Sequence, residues 1–427
     1  MSDFTPWKIL HLDLSHGIPS LPSEPGFQGF FVVFWWQGIP LGQHWIPAKQ
    51  IPMPAAELTE HALTVITPAV GRHLVGRCFE EPWSDSHPEG CDMDLDALAA
   101  LDRPLNTLQE RFSLSLSETE DLSSSVVVCT RDRPEHLKRC LSSLRNLSRK
   151  PHEILVVDNA PGSDATRRVV EQFPDTRYIR EPRPGLDVAR NTGIRNSKCE
   201  IIVFADDDVT VHPEWIARIR RGFKNPKVMA VTGLVLPAEL KTQSQVLFET
   251  HWGFGRGYMN RFFGARFFES TQRKGTPVWE IGAGANMAFR RKAFQLMGGF
   301  DERLDVGAAG CSGDSEMWYR ILAQGWACHY EPTAVVHHYH RREIDDMNQQ
   351  MYYYMRGHVA ALLIQFEKYR HLGNLRRILV SLPWYYAKLA VKGVLNGFSD
   401  RHSTLQAEVL GCLSGITCYL LNKYHTT

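Results

Sequence analysis

Between residues 125 and 235, short apolar runs alternate with amphipathic stretches of about ten residues, and this alternation restricts the possible folds more than any other feature. Runs at 125–129, 152–157, 177–179, 201–205 and 228–235 read as strands. The stretches at 134–144, 165–173 and 213–223 read as helices, and 185–195 as a loop entering a helix. Strands separated by single helices build βαβ units, so the spacing predicts an α/β domain around a parallel, Rossmann-like sheet. In such sheets ligands gather outside the carboxyl ends of the strands. Two of the predicted strands end on acids: one on Asp158, the other on the triplet Asp206-Asp207-Asp208.

The triplet follows the apolar run IIVFA. Three neighbouring carboxylates at a buried strand end repel one another, and an unpaired buried charge costs several kcal/mol. Each must be solvated, protonated or neutralised by a cation. An all-oxygen donor set suits Mg²⁺ or Mn²⁺. An exposed acidic turn capping the helix at Pro213 is the plainer alternative, and the buried strand before the triplet weighs against it. Asp92, Asp94 and Asp96 form a second acidic group, but they lack the glycine and distal glutamate of a calcium loop and read as an acidic helix start.

Asp314 and Glu316 sit where the loop CSG enters a helix. They read equally well as acids favoured by the helix dipole or as a general base facing the crevice. His337, His338 and His340 end another predicted strand, and one of them could complete a cation's shell. Arg131, Arg133, Arg183 and Arg190 fall at or just after strand ends. They are either solvated surface charge or forks for a diphosphate.

Composition narrows the partners. With 48 Lys plus Arg against 47 Asp plus Glu, there is no basic excess for a nucleic-acid backbone. Nine cysteines without a C-x-x-C pair argue against a disulfide framework or zinc ribbon. The N-terminus lacks a signal-peptide pattern, and no uninterrupted apolar run reaches the ~18–20 residues of a membrane span, so a cytoplasmic protein is expected. Trp384-Tyr385-Tyr386 with Lys388 and Lys392 add an expectation of peripheral membrane contact through the C-terminal helices, weighed against ordinary helix packing. Four regions are predicted. Residues 1–81 form a mixed α+β unit, with the dense run FFVVFWW, a turn at Gln37-Gly38 and a helix broken at Pro68. Residues 82–124 form a polar linker with a short helix near 95–100. Residues 125–342 form the α/β domain, and residues 343–427 a helical region.

Taken in order, VVVCTRDRPEHLKRCLSSL (126–144), EILVVDNAP (153–161), GLDVARNTGI (185–194), IIVFADDDVTVHPEW (201–215), GAGANMAFRR (282–291), GGFDERL (298–304), GDSEMWYR (313–320) and PTAVVHH (332–338) resemble the family 2 inverting glycosyltransferases of GT-A fold. The resemblance implies a hexosyltransferase-type enzyme of polysaccharide or glycoconjugate biosynthesis. It would move a sugar from a nucleotide-sugar donor to a hydroxyl of a saccharide, lipid-linked saccharide or protein. Thr130, Arg133, Asp158, Arg190, Asp206 and Asp207 would contact the nucleotide sugar. Asp206 and Asp208 would be the D-x-D pair holding Mn²⁺ or Mg²⁺, joined by His338. Asp314 would be the base, although Gly313 stands where the family often has Glu. Asn286 and Glu316 would lie on the acceptor or donor-sugar side. A non-catalytic nucleotide-sugar-binding scaffold on the same fold is the competing class.

Overall fold

The computed structural model describes residues 4–75, 103–117, 122–305 and 308–422. Strands β1 (Lys8–Asp13), β2 (Gly29–Trp36) and β3 (Ile39–Pro47) form a small sheet, with β1 parallel and β3 antiparallel to β2. Gln37 and Gly38 both have positive φ, 47° and 79°, as a two-residue hairpin turn whose twist matches its strands requires. The unbroken apolar run of β2 has a direct cause: both of its faces are covered. Phe30, Val32 and Phe34 pack towards the helix Ala55–Val75. Phe31, Val33 and Trp35 pack on Leu234, Leu236, Leu240 and Val335 of the central domain.

The central sheet contains β4 (Ser124–Thr130), β5 (Glu153–Asn159), β6 (Thr176–Glu181), β7 (Ile201–Asp206), β8 (Val209–Val211), β9 (Val228–Pro237), β10 (Arg261–Phe263), β11 (Asn286–Arg290) and β12 (Ala327–His338). Its order is β10-β12-β9-β11-β7-β4-β5-β6, with β8 paired to β12. Strands β7, β4, β5 and β6 run parallel, as the strand–helix alternation predicts. Strand β11 is antiparallel to both β7 and β9, so the sheet as a whole is mixed. Side chains alternate faces along each strand. Val126 and Val128 face the helices Pro134–Arg145 and Trp215–Gly222, while Val127 faces Leu186–Asn196 and Gly313–Ala323. Each fully buried aliphatic side chain contributes ~1.5–3 kcal/mol.

Three sequence expectations change. The helix Ala55–Val75 runs through Pro68 rather than stopping there. Leu58, Ala62, Ile66, Ala69 and Leu74 bury one face of it, and that packing outweighs one lost backbone bond. The expected linker contains the helix Pro104–Ser117, whose Leu108 and Phe112 join the same core. The short helix expected near 95–100 and the acids at 92, 94 and 96 lie outside the described residues. At the C-terminus, Leu372–Asn396 and Asp400–Leu421 are long and apolar enough to cross a membrane by length and composition. In the first, Arg376, Arg377, Lys388 and Lys392 interrupt the apolar sequence, so it contains no long uncharged run.

Candidate active site

The carboxyl ends of β4, β5 and β7 lie side by side because their registers align: Thr130 pairs with Asp158, and Cys129 with Asp206. Past β7 the chain turns through Asp207 and Asp208 into β8, which pairs His338 of β12 with Val209. The Tyr339 N–H donates to the Asp208 carbonyl at 3.0 Å, tying the two segments together. A short strand and a strand end thus carry an acid triplet and a histidine to one point.

Each member of the triplet has different surroundings. Asp206 Oδ1 lies 3.9 Å from Nη2 of the buried Arg190. Asp207 accepts from Thr130 Oγ1 at 2.7 Å and from Arg133 Nη1 at 3.3 Å. Asp208 accepts from Arg133 Nη1 at 3.3 Å through Oδ2, and its Oδ1 lies 3.3 Å from His338 Nε2. Burial raises the Asp206 and Asp207 carboxyls, Asp207 to about 6, with the neighbouring Asp208 charge adding to the effect. Asp208 is buried too, but His338 and Arg133 outweigh burial and hold it well below the usual range. Burial lowers His338, yet the Asp208 carboxylate prevails and raises it.

Asp208 Oδ1 is buried, and its ion-pair approach to His338 Nε2 at 3.3 Å is the one polar contact it makes among the described residues. Oxygen and nitrogen donors arranged around one octahedral ion at ~2.1 Å lie about 3 Å apart. Asp208 Oδ1 and His338 Nε2, 3.3 Å apart, therefore fit two donors of a divalent cation in chemistry and spacing, with Asp206 two residues from Asp208 on the same turn. Among the described residues no group of three or more His, Cys, Asp or Glu is arranged to hold a metal ion by itself, so an ion here would need further donors, such as the oxygens of a diphosphate. Strand alternation separates the two histidines that the sequence left in competition. His338 points to Asp208, whereas His337 meets His11 of the N-terminal sheet at 5.3 Å between ring centroids.

Asp158 accepts from Tyr178 Oη at 2.8 Å through Oδ2, and its buried Oδ1 has no partner. Burial raises its carboxyl against the hydrogen bonds from Tyr178 and Thr166. Asp314 opens the helix Gly313–Ala323, with Oδ1 accepting the Ser315 N–H at 2.7 Å. A Cβ placed on Gly284 would meet Asp314 Oδ2 at 2.8 Å and Arg190 Nη2 at 3.1 Å. Asp314 and Arg190 therefore border the same gap, and Arg190 connects it to Asp206.

Two residues expected on the sugar or acceptor side are committed elsewhere. Asn286 is fully buried, with Oδ1 accepting from Trp215 Nε1 at 2.9 Å and Nδ2 donating to the carbonyls of Leu234 and Ala334. All its polar capacity is spent tying three strands and a helix. Glu316 faces into the core and pairs with Arg320 one turn on at 2.7 Å.

Other residues escaped the sequence reading. Asp187 accepts from Arg190 Nη1 at 3.0 Å and anchors it. Burial pushes the Asp187 carboxyl up to about 7 even against that partner. Asp305 Oδ2 accepts the Val188 N–H at 2.9 Å in the first turn of Leu186–Asn196. His338 Nδ1 lies 3.0 Å from His340 Nδ1, and His340 Nε2 lies 3.1 Å from Glu249 Oε2 on the helix Gln243–His251, which forms a buried His–His–Glu chain behind Asp208. The doublet HH and the following His340 were visible in sequence. Glu249, ninety-odd residues away, left no local signal.

The family model "Glycosyl transferase family 2" matches residues 125–298. Among curated relatives, the O-antigen biosynthesis protein RfbC of Myxococcus xanthus is 28% identical over 50% of this chain and 17% of its own length. The succinoglycan biosynthesis protein ExoM of Rhizobium meliloti is 28% identical over 51% of this chain and 67% of its own. The pre-mycofactocin glycosyltransferase of Mycobacterium tuberculosis is 25% identical over 56% and 47%. The similarity thus spans about half of this chain and, for two of these three relatives, less than half of theirs. Among solved structures, the mannosyltransferase PcManGT from Pyrobaculum calidifontis, in complex with GDP-Man and Mn²⁺, aligns with a TM-score of 0.45 and 17% identity, over 78% of this chain and 98% of that one. The family match lies within the α/β sheet and the ordered motifs, which run on to His338: residues 125–298 form a family 2 glycosyltransferase domain.

Proposed function

We propose that the chain is an inverting glycosyltransferase that uses a nucleotide-sugar donor and a divalent cation, Mn²⁺ or Mg²⁺. The observation that carries this is the buried Asp208 Oδ1 beside His338 Nε2, two residues from Asp206, on a site whose far wall is Asp314. When bound, the cation supplies positive charge to the departing diphosphate. Asp206, Asp208 and His338 hold it. Asp158 Oδ1, buried and unpartnered, accepts from the nucleotide base, and Thr130 and Asp207 shape the floor between base and phosphates. Arg133 and Arg190 face the phosphates with their guanidinium edges.

The acceptor oxygen attacks the anomeric carbon opposite the diphosphate. Its proton passes to Asp314, the bond from the anomeric carbon to the diphosphate oxygen breaks, and the nucleoside diphosphate leaves with the electron pair. One displacement inverts the configuration and leaves no covalent enzyme intermediate. The acceptor is the hydroxyl of a saccharide or lipid-linked saccharide. Relatives whose names specify lipid-linked acceptors support the second class, among them an N-acetylglucosaminyl-diphospho-decaprenol L-rhamnosyltransferase of Mycobacterium tuberculosis, 24% identical over 50% of this chain. Hydrolysis of UDP-, GDP- and dTDP-sugars with Mn²⁺ tests the proposal. Turnover is expected with at least one donor and is expected to vanish in EDTA and in Asp208→Ala. Equal turnover in EDTA refutes it.

A further inference from the structure

Among the described residues, the six large apolar side chains that keep 70% or more of their surface exposed are Leu372, Leu379, Trp384, Val394, Leu395 and Phe398. All lie within one stretch of 27 residues. The helix Leu382–Asn396 buries only Leu382, Tyr386 and Gly393, so apolar surface extends around most of its circumference. Leu410, Leu413, Leu420 and Leu421 continue the exposed surface on the next helix. A patch of this size on a water-soluble chain marks a contact surface. Its charge selects the partner. Residues 372–399 contain Arg376, Arg377, Lys388 and Lys392 and no Asp or Glu, and Arg376, Lys388 and Lys392 are exposed. Two copies meeting through this face would bring like charges together, whereas an anionic lipid surface complements them. Trp384 and Tyr385 add the amphipathic rings favoured at the headgroup level.

The helices lie along such a surface rather than across it. Gly411 and Gly415 seat the last helix tightly on the backbone of Tyr352 and Arg356, so it is fixed along the helix Ile344–Tyr369. That helix carries Asp345 and Asp346 in its first turn and packs Tyr353 over Gly310. Arg377 stacks 4.0 Å from the Trp279 ring centroid. The apolar pair is thereby rooted on the two segments that lead to Asp314 and to Gly284.

We infer that helices 372–396 and 405–422 dock in the plane of an anionic lipid bilayer and hold the Asp314 side of the site beside it. The docking stands on the surface itself; only its placement beside an acceptor rests on the proposed function.

The full-length chain is floated with vesicles of 70% phosphatidylcholine and 30% phosphatidylglycerol, and with phosphatidylcholine alone. Binding is expected to the anionic vesicles and to fall at least tenfold in Lys388→Glu/Lys392→Glu and in Trp384→Ala/Leu395→Asp. All these side chains are exposed, so folding is retained, which circular dichroism checks. Absence of flotation, or flotation unchanged by both double variants, overturns the inference. So does a dimer in vesicle-free solution that Leu395→Asp converts to monomer, since a second copy would then cover the face. Donor hydrolysis without vesicles reads the transferase proposal separately.

Discussion

Glu249→Gln tests whether the buried chain behind Asp208 prepares a cation site. For His338 Nε2 to offer a lone pair to a cation beside Asp208, its proton must sit on Nδ1. That proton is then donated to His340 Nδ1 at 3.0 Å, which forces the His340 proton onto Nε2, facing Glu249 Oε2 at 3.1 Å. Only an accepting carboxylate end completes this order. Burial raises the Glu249 carboxyl to about 8, so the charged acceptor is present above that pH, where a glutamine oxygen still accepts but without charge. A charge-assisted hydrogen bond is worth ~1.5–3 kcal/mol and a neutral one ~0.5–1.5. The difference, ~1–1.5 kcal/mol, corresponds to about tenfold in affinity. Mn²⁺ titrated anaerobically at about pH 8.5 into the protein with UDP, with free ion counted by electron paramagnetic resonance, is expected to bind about tenfold more weakly to Glu249→Gln. In a His338→Ala background the same substitution is expected to change nothing further, because its effect runs through His338. Wild-type affinity in Glu249→Gln, or losses that add across the two substitutions, refutes the reasoning.

Asp314→Asn is expected to lower kcat by ~10²–10⁴ with donor affinity unchanged, read by steady-state kinetics beside donor-binding calorimetry. Gly284→Ala puts a methyl group 2.8 Å from Asp314 Oδ2, so kcat is expected to fall while the thermal midpoint stays within a few degrees. A loss of stability matching the loss of activity counts against that reading. Glu331, 2.6 Å from Arg221 and bonded to Thr333, is buried, yet Arg221 overrides burial and lowers its carboxyl to about 2. A depressed carboxyl stabilises the fold above its ordinary range, and that contribution fades as pH falls from about 4.5 to 2. Glu331→Gln is expected to cost ~3 kcal/mol at pH 7 and little at pH 2, measured by urea unfolding at both.

The part of the arrangement that was legible in sequence is the part written along single strands. Asp158 and Asp206–Asp208 were legible because each ends an apolar run, and a parallel sheet brings all such ends to one edge. Asp314 was legible as a position but not as a role, since a helix start explains an acid equally well. Only the approach of Gly284, thirty residues upstream, shows that it borders Arg190. Asn286 misled because it sits in a matching motif, yet strand alternation turns it through the sheet onto Trp215. Glu316 carried its own correction: Arg320 follows four residues later, the spacing at which helical ion pairs close.

The same contrast explains why residues 1–75 yielded strands but no placement. FFVVFWW announces a strand with two dry faces, but a single sequence names only one candidate cover, the helix that follows. The second cover is Leu234, Leu236, Leu240 and Val335, two to three hundred residues away. Because these lie at the ends of β9 and β12, the N-terminal sheet braces the strands that deliver His338. His11 reaches His337, the neighbour whose side chain alternation turns away from Asp208. The pairing of β8 with β12 sets which of the two adjacent histidines faces the acids, and the N-terminal sheet covers the other, a contact that is invisible until both faces of β2 are accounted for.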